Sequence, residues 1–82
     1  MRIEYRRETG DELIAVIQGE MANKAISLIT STPNIKYGYK NKKYIIYDVE
    51  HMVLLALGGI TLWLSRGDYF KIITEEPVPT IY

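Results

Sequence analysis

Apolar and polar residues alternate at the start of the chain, where Ile3 and Tyr5 are set between Arg2, Glu4 and Arg6, the period-2 pattern of a short, half-exposed strand. Thr9 breaks the alternation. Its hydroxyl is placed to cap a helix that begins at Gly10, and Glu12, three residues on, completes a capping box. Leu13, Ile14, Ile17 and Met21 then share one apolar face, and Gly19 has the backbone freedom to end the helix. The pattern predicts a helix over residues 10–18, too short to persist without docking on a sheet.

Ala25 to Thr30 reads as a strand, and Ser31 to Asn34 as a turn because Pro33 cannot continue a central ladder. Ile35–Lys40 and Lys43–Tyr47 flank Asn41-Lys42 as a hairpin that sets Tyr39 opposite Tyr44. Ile60–Ser65 and Asp68–Ile73 flank Arg66-Gly67 as a second hairpin, pairing Trp63 with Phe70 and Leu64 with Tyr69. Residues 48–57 carry two signatures. Asp48 as a cap with Val49, Met52, Val53 and Ala56 on one stripe reads as a helix; the Val-Leu-Leu run reads as a buried strand, which lets a barrel close without an edge. The resulting expectation is an α+β fold: one short N-terminal helix packed on five or six mainly antiparallel strands in a partly open small barrel. A single domain over residues 1–76 precedes an extended tail, 77–82, stiffened by Pro77 and Pro79.

Composition narrows this picture. At 82 residues the chain has room for one core. Ten Lys and Arg balance ten Asp and Glu, which excludes a chain held to nucleic acid by its overall field and requires any polyanion site to be local. There is no cysteine, so disulfides, thiolate metal sites and cysteine nucleophiles are excluded. The N-terminus alternates charge and bulk, and the greasiest run, Met52–Leu64, is shorter than the roughly 20 residues that cross a bilayer. Neither an export signal nor a membrane partner is expected, and the expected compartment is the cytoplasm.

Candidate chemistry is sparse. His51 is the sole histidine, so a metal site would draw on carboxylates and water, a poor match to zinc. Asp48 or Glu50 would be needed to orient it as a base, and no nucleophile motif adjoins it; it is read as a surface or cap-proximal residue. The pairs Asp11-Glu12 and Glu75-Glu76 point apart and are explained by capping and a solvated strand end. With no glycine-rich phosphate loop or nucleophile elbow, no enzyme, catalytic residue, metal or cofactor is expected.

The informative cluster runs from Lys36 to Tyr44. Lys36, Lys40, Lys42 and Lys43 interleave with Tyr37, Tyr39 and Tyr44, and cations beside aromatic faces are what phosphates and stacked bases require. Gly38 would let a ligand approach the backbone closely. Arg66 and Lys71 join the same face if the two hairpins are neighbours. A structural explanation stands beside the functional one: lysines protect an edge strand and tyrosine favours strands. Nine aromatic residues, seven of them tyrosine, exceed what a core this small hides, although Trp63, Phe70, Tyr69 and Tyr47 read as core with polar tips at the rim.

Two stretches, Gly10 to Glu20 and Trp63-Leu64 with Asp68 to Ile73 and Glu75-Glu76, resemble small accessory proteins of tailed bacteriophages. In outline the chain is similar to the Thoeris anti-defence sponges, which sequester a nucleotide immune signal instead of cutting it. Those proteins place a basic residue and a tryptophan soon after the helix glycine, where this chain has Met21 to Ile26, so no ligand residue carries over. The resemblance implies a non-catalytic phage protein of the host cytoplasm that captures a nucleotide messenger or occludes a host defence protein. A small nucleic-acid-binding barrel and a structural or assembly protein are the alternatives, and a homo-oligomer is expected from the short chain and its exposed aromatic strands.

Overall fold

The structure, a computed structural model, describes residues 1–57 and 59–74. In chain order it contains β1 (Arg2–Arg6), β2 (Leu13–Gln18), α1 (Glu20–Ser31), β3 (Ile35–Lys40), β4 (Tyr44–Val49), β5 (Val53–Leu57), β6 (Ile60–Leu64) and β7 (Tyr69–Ile73). Five strands form an antiparallel sheet in the order β2-β1-β7-β4-β3, and β5 and β6 form a separate antiparallel pair. The fold is α+β, a short helix on antiparallel sheet, and among the described residues the sheets do not close into a barrel. The strand reading of residues 53–57 is the one the chain adopts. The tail over residues 77–82 lies outside the described residues.

Helix and strand change places relative to the sequence expectation. Thr9–Asp11 is a single 3₁₀ turn without a side-chain cap, Glu12 is already extended, and residues 13–18 form β2. Gly10 and Asp11, at φ 72° and 53°, turn the chain back on itself, and the Arg7 N–H donates to the Glu12 carbonyl at 2.9 Å. β1 and β2 are therefore a hairpin, with Ile3 opposite Ile17 and Tyr5 opposite Ala15. Ile14, Val16 and Ile17 are β-branched and favour this outcome; in the strand Ile17 pairs with Ile3 on the core face and Val16 with Glu4 on the other, so the apolar face expected of a helix is split. Gly19, at φ 68°, precedes the helix instead of ending one. Within α1, Ala22, Ala25 and Ile29 recur at helical spacing and are buried. The hydroxyls of Thr30 and Thr32 donate back to the Ile26 and Leu28 carbonyls at 2.8 and 2.7 Å, and the helix stops before Pro33, which biases Thr32 toward extended backbone.

The expected pairing of residues 60–65 with 68–73 does not form. β6 pairs with β5, so Trp63 faces Leu54, while β7 runs through the middle of the large sheet between β1 and β4. Phe70 lies opposite both Tyr5 and Tyr47. The chain changes sheets at a turn that Asp68 fixes: its carboxylate accepts from the Ser65 N–H at 3.1 Å and from the Tyr5 hydroxyl, and the Gly67 N–H donates to the Val49 carbonyl at 3.0 Å. β7 takes the central place because Phe70 and Ile72 are apolar on one face and fill the core. Trp63, expected in the core, is 59% exposed; Phe70 is buried, and Tyr69 and Tyr47 are half-buried.

One continuous core joins these parts. Ile3, Tyr5, Val49, Phe70 and Ile72 from one face of the large sheet pack with Ala25 and Ile29 of α1 and with Leu55 and Leu64 of the small sheet. The helix and the small sheet thus cover a single face, and strand alternation turns Arg2, Glu4, Arg6, Tyr44, Ile46, Asp48, Tyr69 and Lys71 to the other.

Candidate functional site

The face away from the helix is ordered by register. One row across the sheet reads Glu4, Lys71, Ile46, Tyr39; the next reads Arg6, Tyr69, Asp48, Lys36. Between the rows a cleft of about 360 Å³ is lined by Asp11, Tyr39, Tyr44, Ile46, Asp48, Tyr69 and Lys71. Such a volume lies within the range of small-ligand sites.

Its walls are aromatic. Tyr39 and Tyr44 meet edge to face, with ring centres 6.0 Å apart at 72°, and their hydroxyls share a hydrogen bond of 2.9 Å. That bond holds Tyr44 below the ordinary phenol range, helped by Asn41, Lys71 and Lys43, and raises Tyr39. The Lys71 ammonium sits 4.3 Å from the centre of the Tyr44 ring, a cation–π contact. On the far wall the Tyr69 hydroxyl donates to Asp11 Oδ1. Asp48 is raised above the ordinary carboxylate value, first by burial and then by the charge of Glu50.

A charged ladder borders the cleft. Glu4, only 6% exposed, accepts from Arg2 Nε at 2.8 Å and from Arg6 Nε at 2.9 Å, one guanidinium on each oxygen. Burial pushes its carboxyl up, but the two arginine hydrogen bonds and charges outweigh that and hold it below the ordinary value. Arg6 also donates through Nη1 to the Asp11 carbonyl at 2.9 Å, fixing the turn that carries Asp11 to the cleft.

The sheet divides the lysine and tyrosine cluster. Lys36 and Tyr39 share the open face with Asp48 and Ile46, and Tyr44 projects to the same side. Tyr37 and Lys40 pair with Tyr47 and Ile45 and so belong to the helix side, where Tyr37 meets Tyr47 edge to face at 5.9 Å. Lys42 and Lys43 occupy the tight turn, where the Asn41 side chain accepts from the Lys43 and Tyr44 N–H groups at 2.8 and 2.9 Å. Tyr39 lies directly opposite Ile46, and its contact with Tyr44 is diagonal, because the register slips between Tyr37 and Tyr39. Gly38 fills that slip. The approach it offers is taken by the Asp48 carboxylate, with the Ile46 carbonyl 3.1 Å from where a Cβ would stand.

Arg66 falls outside the aromatic cleft. It lines a neighbouring cavity of about 490 Å³ with Glu8, Asp48, Val49, Glu50, His51 and Gly67. The cavity lining carries three carboxylates against one guanidinium and no tyrosine, tryptophan or phenylalanine ring on which a base could stack. Lys71 joins Tyr39 and Tyr44 because β7 and β4 are neighbours, although through a different pairing from the expected hairpins. Tyr69, Asp48 and Asp11 enter the site through the fold; the i, i+2 spacing of Tyr69 and Lys71 in a strand is the sequence signal that links the first of them. Among the described residues no three His, Asp or Glu side chains gather as metal ligands, and no helix is long and apolar enough to cross a membrane.

No family model, curated protein or solved structure matches this chain. The segment 10–20, which carries half of the phage resemblance as a helix, is a turn and a strand that lead into α1.

Proposed function

We propose that the open sheet face is a binding site for a nucleotide, held non-covalently and left uncut. The observation that carries this reading is the juxtaposition of three tyrosine rings with the Lys71 ammonium over an apolar floor, Ile46, on the face that neither the helix nor the small sheet covers. A planar base stacks on phenol faces, a phosphate is met by Lys71, and Asp11 and Asp48 accept from ribose hydroxyls or ring N–H groups. In the setting that the phage resemblance implies, such a site withdraws a nucleotide signal from its receptor.

Isothermal titration with cyclic mono- and dinucleotides and ADP-ribose derivatives tests the proposal. Micromolar binding by at least one of them, weakened in Lys71→Met and in Tyr44→Ala, is the expected result; no heat from any of them overturns it and turns the reading toward a protein target.

A second reading, a single-stranded nucleic acid, is favoured by further cations on the same face beyond the cleft, Lys36 and the Glu4-bridged Arg2 and Arg6. It predicts affinity that falls steeply with salt, by a slope near the number of phosphates neutralised.

A further inference from the structure

The small sheet presents an uncharged, largely apolar outer face. Pairing of Leu54 with Trp63 and of Ala56 with Thr61 puts these four residues on its outer face, and all four are exposed. Met52, just before β5, follows the same alternation and is 57% exposed; Leu54 is 56% exposed. Neither β5 nor β6 contains a charged residue; of the large sheet's two edge strands, β3 carries Lys36 and Lys40 and β2 carries none. The inner face of the small sheet is packed in the core through Leu55, Leu57 and Leu64, which leaves the outer face as its one large apolar surface without a partner among the described residues.

We infer that this face is the seat of a second copy of the chain, in a reversible two-fold dimer with the two hairpins packed face to face. Charge selects the partner: an ionic surface set on this patch would lose its water and gain no counter-charge, while a second copy brings an equally uncharged face and, at zero formal net charge, no repulsion. Size selects the arrangement. The bulky row, Leu54 and Trp63, adjoins the small row, Ala56 and Thr61, so a two-fold axis between the rows lays each large row over the partner's small one. The area sets the strength. The patch is small beside the roughly 1,200–2,000 Å² that specific stable interfaces bury, so the dimer is a weak and reversible one.

Trp63 is the sole tryptophan and reports its own burial. Light scattering of the full chain should rise from the 9.5 kDa monomer toward twice that mass between about 10 µM and 1 mM, with a parallel blue shift of Trp63 emission. Leu54→Glu and Ala56→Trp, both at exposed positions, should keep the native circular dichroism and stay monomeric throughout. A chain that remains monomeric at 1 mM overturns the inference. So does a dimer that persists in both variants, which would place the interface on another face or on a strand edge. The aromatic cleft contributes no residue to β5 or β6, so nucleotide binding can fail without touching this result.

Discussion

The Lys71 ammonium lies 4.3 Å from the centre of the Tyr44 ring, joining two residues on adjacent antiparallel strands. A charge held over an aromatic wall, in a cleft with an apolar floor, meets an anion attached to a planar ring at less desolvation cost than a fully hydrated surface lysine does. Lys71→Met keeps the stem and removes the charge. It is expected to weaken a phosphate-bearing nucleotide by about 10- to 100-fold, the worth of one charged hydrogen bond, and to leave the parent nucleoside nearly unchanged, read by calorimetry on the two ligands.

The Tyr39–Tyr44 hydroxyl bond makes an optical signature. Alkaline titration followed by phenolate absorbance should show one phenol ionising below the ordinary value, Tyr44, and another above it, Tyr39. Tyr44→Phe removes the first and returns Tyr39 toward the ordinary range.

Gly38 and Asp48 compete for one space. A Cβ at residue 38 would run into the Asp48 carboxylate and press on the Ile46 carbonyl at 3.1 Å, so Gly38→Ala is expected to cost about 1–3 kcal/mol in urea unfolding. Asp48→Ala in the same chain should recover part of the loss, because it clears the side-chain half of the clash.

Asp68 is buried and accepts from the Tyr5 hydroxyl, the Ser65 N–H at 3.1 Å and the Glu8 N–H at 3.4 Å. Removing it in Asp68→Ala leaves those donors without a partner and is expected to cost about 3 kcal/mol, more than Tyr5→Phe, which removes a single donor. Burial first, then the Asp68 hydrogen bond and charge, push the Tyr5 phenol well above the ordinary range. Its folded value therefore exceeds its unfolded one, so its contribution is full below the ordinary phenol value and is lost as pH rises above it. Tyr5→Phe should flatten the loss of stability measured as pH rises above about 10, the unfolded phenol value.

Two carboxylates act in opposite senses in acid. Glu4 is lowered, so its stabilisation is present above the unfolded carboxylate value and disappears as pH falls through the lower folded value; Asp48 is raised, so its protonation favours the folded chain. Glu4→Gln should lessen the acid loss seen by thermal unfolding, and Asp48→Asn should raise stability at neutral pH.

The period-2 pattern of β1, the hairpin around Asn41-Lys42 and the strand character of residues 53–57 were legible because each rests on local alternation or turn chemistry. The exchange of helix and strand over residues 10–31 was not. Leu13, Ile14 and Ile17 fit a helical face better than one face of a strand, and what overrides that local pattern is the reversal at Gly10 and Asp11, which lets β2 pair with β1. The insertion of β7 between β1 and β4 is non-local: nothing within residues 69–73 states that Phe70 will meet Tyr5. Hence Tyr39 and Tyr44 were found from sequence, while Tyr69, Asp11 and Asp48 joined them only through the sheet order.

The most direct test of the open face as the binding site is a ¹H–¹⁵N and aromatic ¹H–¹³C NMR titration of the full chain with the nucleotide that gives the largest heat. Shifts concentrated on Tyr39, Tyr44, Tyr69 and Lys71, with Tyr37 and Tyr47 on the helix side unmoved, are the predicted result. Shifts centred on Arg66 and His51, or on the helix side, or none at all, would contradict it.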